Sequence, residues 1–472
     1  VGVTLLHLCF LPWALGTMHE WSQLTSLALA AAGFVLAVLP RRDAGGWAGP
    51  MRAGGGAPPA ARLVRLPAFW AGLAMLAYVA VQGLNPAWRF ASNEDSWWLE
   101  PAAHVAWLPS GIAAPFARSN PWRALVIFGS QWLVVCSVLT GFRRRRSYRL
   151  LFTLLAAHAF LLAAFALVQL LSGTKRIFWT YGPSNTSFSG PFIYPNHAGP
   201  YLYLMVALAA GLALWLYRRS RHGLEPSGLA AWHVVVAAAA GLMVILSYSR
   251  GSIVMLLLLT FLFGCAAAPR LLRRRRTAAE GRPEFLPVAL ALAGLLAIGL
   301  VSLNTAKVRM RFAELMDNPT AAGLDRAHAR QAATQMWCDR WLLGWGAGCF
   351  RHAFPLYAQW YPDIYNSPGG ARKFWEHAHD DLIEFPAEFG VAGLLPLAGL
   401  FLHGAWQLWS RRFWCNPLSF SLVLGCCLVL LHAGVDFVLQ NPAVLITWSV
   451  LLAGALRWLE LDEGAASPAA RA

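Results

Sequence analysis

The chain has 472 residues, 58% of them hydrophobic and only 13% charged, with a mean hydropathy of +0.49. A soluble globular domain carries roughly 25% charged residues, so this balance excludes one and indicates a polytopic membrane protein. The formal charge of +16 sits mostly in short arginine clusters between apolar runs, which reads as membrane topology and argues against nucleic acid as a partner.

A helix needs about 20 apolar residues to cross the hydrocarbon core. Runs of that kind lie near 2–18, 22–40, 66–86, 124–142, 150–172, 198–217, 228–248, 251–269, 285–305, 387–409, 416–435 and 440–457, so about twelve spans are predicted. The run from Val1 lacks a basic leader and an A-x-A site, and reads as a first transmembrane helix rather than a signal peptide. The clusters Arg41–Arg42, Arg143–Arg146 with Arg149, Arg218, Arg219 and Arg221, Arg273–Arg276 and Arg411–Arg412 fall in alternate loops. Placed inside by the positive-inside rule, they leave segments 87–123, 173–197 and about 306–386 outside. The organisation expected is an N-terminal transmembrane bundle over 1–305, a large outer loop over 306–386, C-terminal helices over 387–457 and a polar cytoplasmic tail over 458–472.

The eight cysteines show no CxxC and no metal-ligand spacing, and most read as small buried hydrophobes. Cys338 and Cys349 share the long outer loop, where an oxidising compartment would allow a disulfide; two free thiols are the favoured reading. That loop also holds Trp337, Trp341, Trp345, Trp360, Trp375, Tyr357, Tyr361 and Tyr365. It should fold as a helical cap, with most of these rings in an interfacial belt and the remainder suited to stacking on sugars.

Ionisable groups at membrane depth are functional candidates, because an unpaired buried charge costs several kcal/mol. SGPFIYPNHAGPYLYL (189–204) puts Asn196 and His197 at the start of the sixth span, where free backbone N–H groups favour anions or a simple cap. SYSRG (247–251) sets Arg250 at the outer end of the seventh, beside Ser249 and Gly251, away from the inside clusters. Guanidinium is always charged and forks onto phosphate oxygens. Arg326 and Arg330 follow in the outer loop, before the turn GWGAG (344–348). Then comes HAHDDLIEFPAEFGVAGLLP (377–396), with His377, His379, Asp380, Asp381, Glu384 and Glu388 at the mouth of the tenth span. Read as one helix, it puts Glu376, His379 and Ile383 on one face and Asp380 and Glu384 on another. Histidine can exchange a proton near neutral pH, whereas H-x-H without a third ligand is a poor metal signal. Walker, GxSxG, HExxH and dinucleotide fingerprints are missing from the sequence, so no metal and no cofactor are expected.

In this order the motifs resemble the O-antigen ligase and Wzy-type polymerase superfamily. GPFIYPNHAGPYL matches its Gly-Pro-Phe…Asn-His-x-Ala stretch, and SYSRG its Ser-x-Ser-Arg-Gly. DRAHARQAATQMWCDRWLLGWGAGCF supplies the loop arginine, Arg326, ahead of a Gly-x-Gly turn. His379-Asp380, nine residues, and Gly390-x-x-Gly393 supply the last motif, with Asp380 where the family usually has Asn, Ser or Gln. The resemblance implies a metal-independent, GT-C-like glycosyltransferase of the bacterial inner membrane, acting on the periplasmic side. It would move a glycan from an undecaprenyl-diphosphate carrier to an acceptor glycolipid or glycan. It further implies that Arg250 and Arg326 hold the diphosphate and that His379 acts on the acceptor. Arg330, His377, Asp380, Asn196, His197 and Ser249 would support them, Asp380 by fixing the imidazole tautomer. Gly251 would turn the chain, and Gly390 with Gly393 would pack the tenth span under the cap. Polymerase and protein O-oligosaccharyltransferase activities remain open. So does a secondary transporter, for which His158, His233, His403 and His432 are the best foothold.

Overall fold

A computed structural model describes residues 1–39, 58–182, 188–221, 226–275, 319–366 and 372–466, with positions 224, 294 and 370. In chain order the helices are α1 (Gly2–Trp13), α2 (Glu20–Val38), the short α3 (Pro59–Leu63) and α4 (Pro67–Leu84). Three strands follow, β1 (Pro86–Ser92), β2 (Trp97–Pro101) and β3 (Gly111–Ala113). Next come α5 (Pro121–Gly141), α6 (Arg145–Leu171), α7 (Pro195–Arg221), α8 (Ser227–Leu246) and α9 (Arg250–Arg275). The last group is α10 (Pro319–Asp339), the one-turn helices α11 (Phe350–Ala353), α12 (Pro355–Ala358) and α13 (Pro362–Tyr365), then α14 (Asp381–Ser410), α15 (Pro417–Ala433) and α16 (Pro442–Ala466).

Among the described residues eight helices are long and apolar enough to cross a membrane: α2, α4, α5, α6, α7, α8, α14 and α16. Three further expected spans correspond to shorter apolar helices, α1, Arg250–Ala266 of α9, and α15. The expected span 285–305 lies outside the described residues. Several helices open as their sequences dictate. Pro121 and Pro417 occupy first-turn positions, behind Asn120 and Asn416, whose side chains accept from the free N–H groups. The run read as 2–18 stops short at Trp13, because Leu15, Gly16 and Thr17 all have positive φ. A Cβ on Gly16 would stand 2.8 Å from Asn441 Nδ2, so this turn lies against the start of α16.

At the centre is α7, whose residues 198–216 are all buried. Small residues let its neighbours approach it. A Cβ on Gly199 would meet Ser252 Oγ of α9 at 2.0 Å, and one on Gly211 would meet Ser421 Cβ of α15 at 2.8 Å. Gly425 of α15 faces Ala207, and Ser421 Oγ donates to the Ala207 carbonyl at 2.5 Å. Lipid offers no hydrophobic drive between helices, so such close backbone approach supplies the packing.

The arginines gather at one end of the bundle. Arg145 at the start of α6 pairs with Asp462 near the end of α16, and Arg218 near the end of α7 donates to the Cys415 carbonyl just before α15. The opposite ends of α7 and α16 therefore lie about 40 Å away, at 1.5 Å per residue. That second end carries a cap, built from two segments rather than one loop. Within 86–113 the strands form a sheet of order β2-β1-β3, antiparallel between β1 and β2 and parallel between β1 and β3, a small addition to an otherwise helical chain. Trp88, Leu99 and Ile112 from this sheet share one core with Ala329, Ala333 and Met336 of α10 and with Trp345, Phe350 and Phe354. Cys349 is buried in that core, accepts from the Ile112 N–H at 3.3 Å, and like Cys338 is a free thiol.

The cap joins the bundle at a break in α14. Gly390 has φ 61 and ψ 178, which takes its neighbours out of the helical ladder. The loop before α11 takes up the released groups. Trp345 and Gly346 donate to the Ala387 and Glu388 carbonyls at 2.9 Å each, while Val391 and Ala392 donate to the Trp341 and Leu342 carbonyls at 2.8 and 3.0 Å. A Cβ on Gly390 would sit 2.3 Å from Leu342 O, and one on Gly344 2.2 Å from Glu388 O. Gly390 is thus a joint, and Gly393 packs against Tyr78 of α4 rather than beneath the cap.

Gly390→Ala should therefore lower stability by about 1–3 kcal/mol, the scale for a side chain forced into a glycine-only conformation. Gly399→Ala, in the same helix with open space around it, should leave the melting temperature level or slightly raised. Equal melting curves for the two variants in detergent would contradict the joint.

Candidate active site

The capped end of the bundle brings the separated motifs around the turn between α15 and α16. Asp436 in this turn is 4% exposed and receives two side chains. His379 Nδ1 donates to its Oδ1 at 3.1 Å, and Asn196 Nδ2 donates to its Oδ2 at 2.5 Å. Burial alone would push the Asp436 carboxyl up, but the His379 hydrogen bond and charge hold it below the usual carboxylate range. It is therefore ionised and selects the Nδ1–H tautomer of His379, leaving Nε2 as the basic nitrogen. Nothing in the spacing of the sequence links Asp436 to a histidine 57 residues earlier.

The neighbouring Phe437 organises the rings. His377 stacks on it with centroids 4.8 Å apart, while His379 and His197 meet it edge-on at 4.6 and 5.0 Å. Trp375 closes the other side of His379 at 5.7 Å. Nothing in the sequence marked Phe437 for this position. His379 itself has φ 53, a left-handed conformation that costs a non-glycine residue about 1–3 kcal/mol. It is held there by Asp436 and these two rings.

The helical-face reading of 376–388 is corrected by this backbone. α14 begins at Asp381, with Asp380 as its cap accepting from the Leu382 N–H, so His379 stands outside the helix. Asp380 is turned away from the imidazole. Its Oδ2 pairs with Arg330 at 2.9 Å, and Arg330 also donates to the Gly434 carbonyl. Burial raises the Asp380 carboxyl, with Arg330 opposing. The remaining acids, Asp381, Glu384 and Glu388, are buried and work as staples. Asp381 accepts from the Leu439 N–H at 2.7 Å, Glu384 from His377 Nδ1 and the Ala378 N–H at 2.7 Å each, and Glu388 from the Phe350 N–H at 2.9 Å.

The arginine motifs approach from two further sides. SYSRG turns into α9 with Tyr248 at φ 57, and Ser249 Oγ meets Ser252 Oγ at 2.9 Å beside Gly199. Gly251, next to Arg250, packs on His432, where a Cβ would stand 2.4 Å from Nε2. His432 is one turn before Asp436, whose N–H donates to the His432 carbonyl. Arg326 is exposed, one turn before Arg330 on the same face of α10, and its charge reaches His432. Among the described residues no carboxylate pairs with Arg326. Asn196 is engaged by Asp436 and Tyr194 rather than capping α7, and His197 meets Asn441 Nδ2 through Nδ1 at 3.4 Å. Two of the histidines that suggested transport are tied locally: His158 accepts from Trp13 Nε1 and His403 bonds Gln407.

His377 is half-buried, and the loss of water around it by itself lowers its pKa, but the Glu384 carboxylate and its hydrogen bond outweigh this, and the net shift is upward. A histidine raised on folding contributes stability that is complete below about 6.5 and lost as pH rises through the higher folded value. His377→Gln should therefore lower the melting temperature more at pH 6 than at pH 9. A difference from wild type that is constant across that range would contradict the pair.

Residues 233–398 match the family model described as Wzy_C, O-Antigen ligase, a stretch that includes Arg250, Arg326 and His379. Among curated proteins none matches the chain. That segment, with the chain's apolar helices, supports an integral membrane protein with a glycan-ligating or glycan-polymerising function in polysaccharide biosynthesis, of the O-antigen ligase/Wzy type.

Proposed function

We propose that this protein is a GT-C-type glycosyltransferase of O-antigen ligase character, moving a glycan from an undecaprenyl-diphosphate-linked donor to an acceptor hydroxyl. The observation that carries the reading is the Asp436–His379 pair at the capped end, with Arg250 and Arg326 approaching the same turn. By the positive-inside rule the arginine end lies in the cytoplasm of a bacterial inner membrane, and His379 then works on the periplasmic side.

In the proposed reaction His379 Nε2 takes the proton of the acceptor hydroxyl as its oxygen bonds the anomeric carbon of the donor glycan. The bond from that carbon to the diphosphate oxygen breaks, and the lipid diphosphate leaves with the electron pair. Arg250 and Arg326 stabilise the charge developing on it, as preorganised guanidiniums can without a metal ion. Asp436 orients the imidazole and balances its charge once protonated, and Arg330, on Asp380 and Gly434, holds α10 so that Arg326 faces the donor. The cap limits water, which would otherwise compete with the acceptor.

Transfer assayed in proteoliposomes with a lipid-diphosphate-linked glycan and an acceptor glycolipid tests this. His379→Ala should slow transfer by about 10²–10⁴-fold, the usual contribution of a general base. Arg250→Ala and Arg326→Ala should abolish it with membrane insertion intact. Near-full transfer by His379→Ala would refute the catalytic assignment. Extension of the lipid-linked glycan with donor alone would identify a polymerase instead of a ligase.

A further inference from the structure

The arginine end of the bundle contains a cavity of about 630 Å³ that the glycan reaction does not use. It lies between the first turns of α6 and α8 and the last turns of α7 and α16. Arg145, Arg146, Arg149 and Arg219 all line it. Three of these guanidiniums surround one indole: relative to the Trp215 ring, Arg145 and Arg149 lie at 5.6 Å and Arg219 at 5.1 Å. Arg145 also sits over Trp458 at 4.3 Å, and its carboxylate partner is Asp462. A positive-inside signal needs only that arginines stand in a loop. Here Arg145, Arg149 and Arg219 are instead held over aromatic rings at the wall of one cavity.

Two features narrow the ligand beyond an anion. Leu150 and Leu229 line the cavity and are also exposed, and Leu154 and Leu161 continue the exposed apolar surface along α6. The cavity therefore opens towards the hydrocarbon, where acyl chains lie. His233 is 1% exposed and lines the cavity. Its Nδ1 donates to the Leu229 carbonyl at 2.7 Å, so Nε2 is left an acceptor, and it has no partner among the described residues. A buried acceptor of this kind calls for an O–H donor.

We propose that this cavity is a headgroup site for an anionic glycerophospholipid whose headgroup bears a hydroxyl. The phosphodiester lies on the arginines, the headgroup hydroxyl donates to His233 Nε2, and the acyl chains run over Leu150 and Leu229. Basic pockets between helices at the cytoplasmic boundary suit such lipids, each arginine near the surface strengthening attraction to anionic headgroups.

Native mass spectrometry of the full chain in detergent with added lipids tests the proposal. Wild type should retain phosphatidylglycerol over phosphatidylcholine by roughly tenfold, and Arg146→Gln/Arg149→Gln should remove most of that preference. His233→Leu should keep the preference for anionic lipid but lose the discrimination of phosphatidylglycerol from phosphatidylethanol, which has the same charge and no hydroxyl. That second variant keeps the test decisive if the arginine pair fails to fold. Equal retention of phosphatidylglycerol and phosphatidylcholine by wild type would overturn the proposal. So would displacement of bound lipid by excess inorganic phosphate, which would assign the arginines to a soluble anion.

Discussion

The capped end of this protein depends on a backbone joint, the break at Gly390 and the loop 341–346 that fills it. A helix broken inside a membrane strands N–H and C=O groups at several kcal/mol each unless protein supplies partners. Here the loop supplies four backbone hydrogen bonds across the gap, from Trp345, Gly346, Val391 and Ala392. Tyr78 and Gln82 of α4 add side-chain donors to the Leu343 carbonyl, Tyr78 reaching Phe389 and Gln82 reaching Glu388. A Cβ at either Gly344 or Gly390 would meet the opposite backbone, so the two glycines admit each other. The joint fixes the cap on the bundle, and with it α10, whose Arg330 bridges to Asp380 and Gly434.

From that joint the site follows by a chain of staples. Glu388 ties α14 to Phe350, Glu384 ties it to the loop carrying His377 and Ala378, and Asp381 ties it to Leu439 beyond the turn that holds Asp436. These buried acids hold three strands of irregular chain at fixed distances from one helix. His379 is left in a strained left-handed conformation between them, aimed at Asp436. Strain of this kind persists only where the surroundings over-determine it, as ring contacts from Phe437 and Trp375 do here.

The long helices were legible because bilayer thickness imposes a length on apolar runs, and arginine clusters mark where most of them end. The site was legible in its parts. Arg250, Arg326 and His379 could be singled out as ionisable groups at one face, since such groups are costly near lipid. Their mutual geometry could not, because it passes through Asp436 and Phe437, which a helix-and-spacing reading treats as the end of a span. The 377–396 stretch misled for a related reason. Its composition suits a helix from Glu376 onward, yet capping by Asp380 starts α14 later and frees His379 from helical periodicity. The sheet over 86–113 escaped notice because its strands are short, and only packing against α10 and Trp345 makes them stable. In the sequence Arg145, Arg149 and Arg219 read only as loop arginines, whereas their grouping around Trp215 is a tertiary fact.

The central claim is that His379 takes the acceptor proton while Asp436 orients its ring. Single-turnover transfer by Asp436→Asn, alongside donor binding to the same variant, tests it most directly. The account predicts a transfer rate roughly a hundredfold lower with donor affinity unchanged, because the asparagine leaves the imidazole present but misoriented and without charge support. Transfer at the wild-type rate would contradict it.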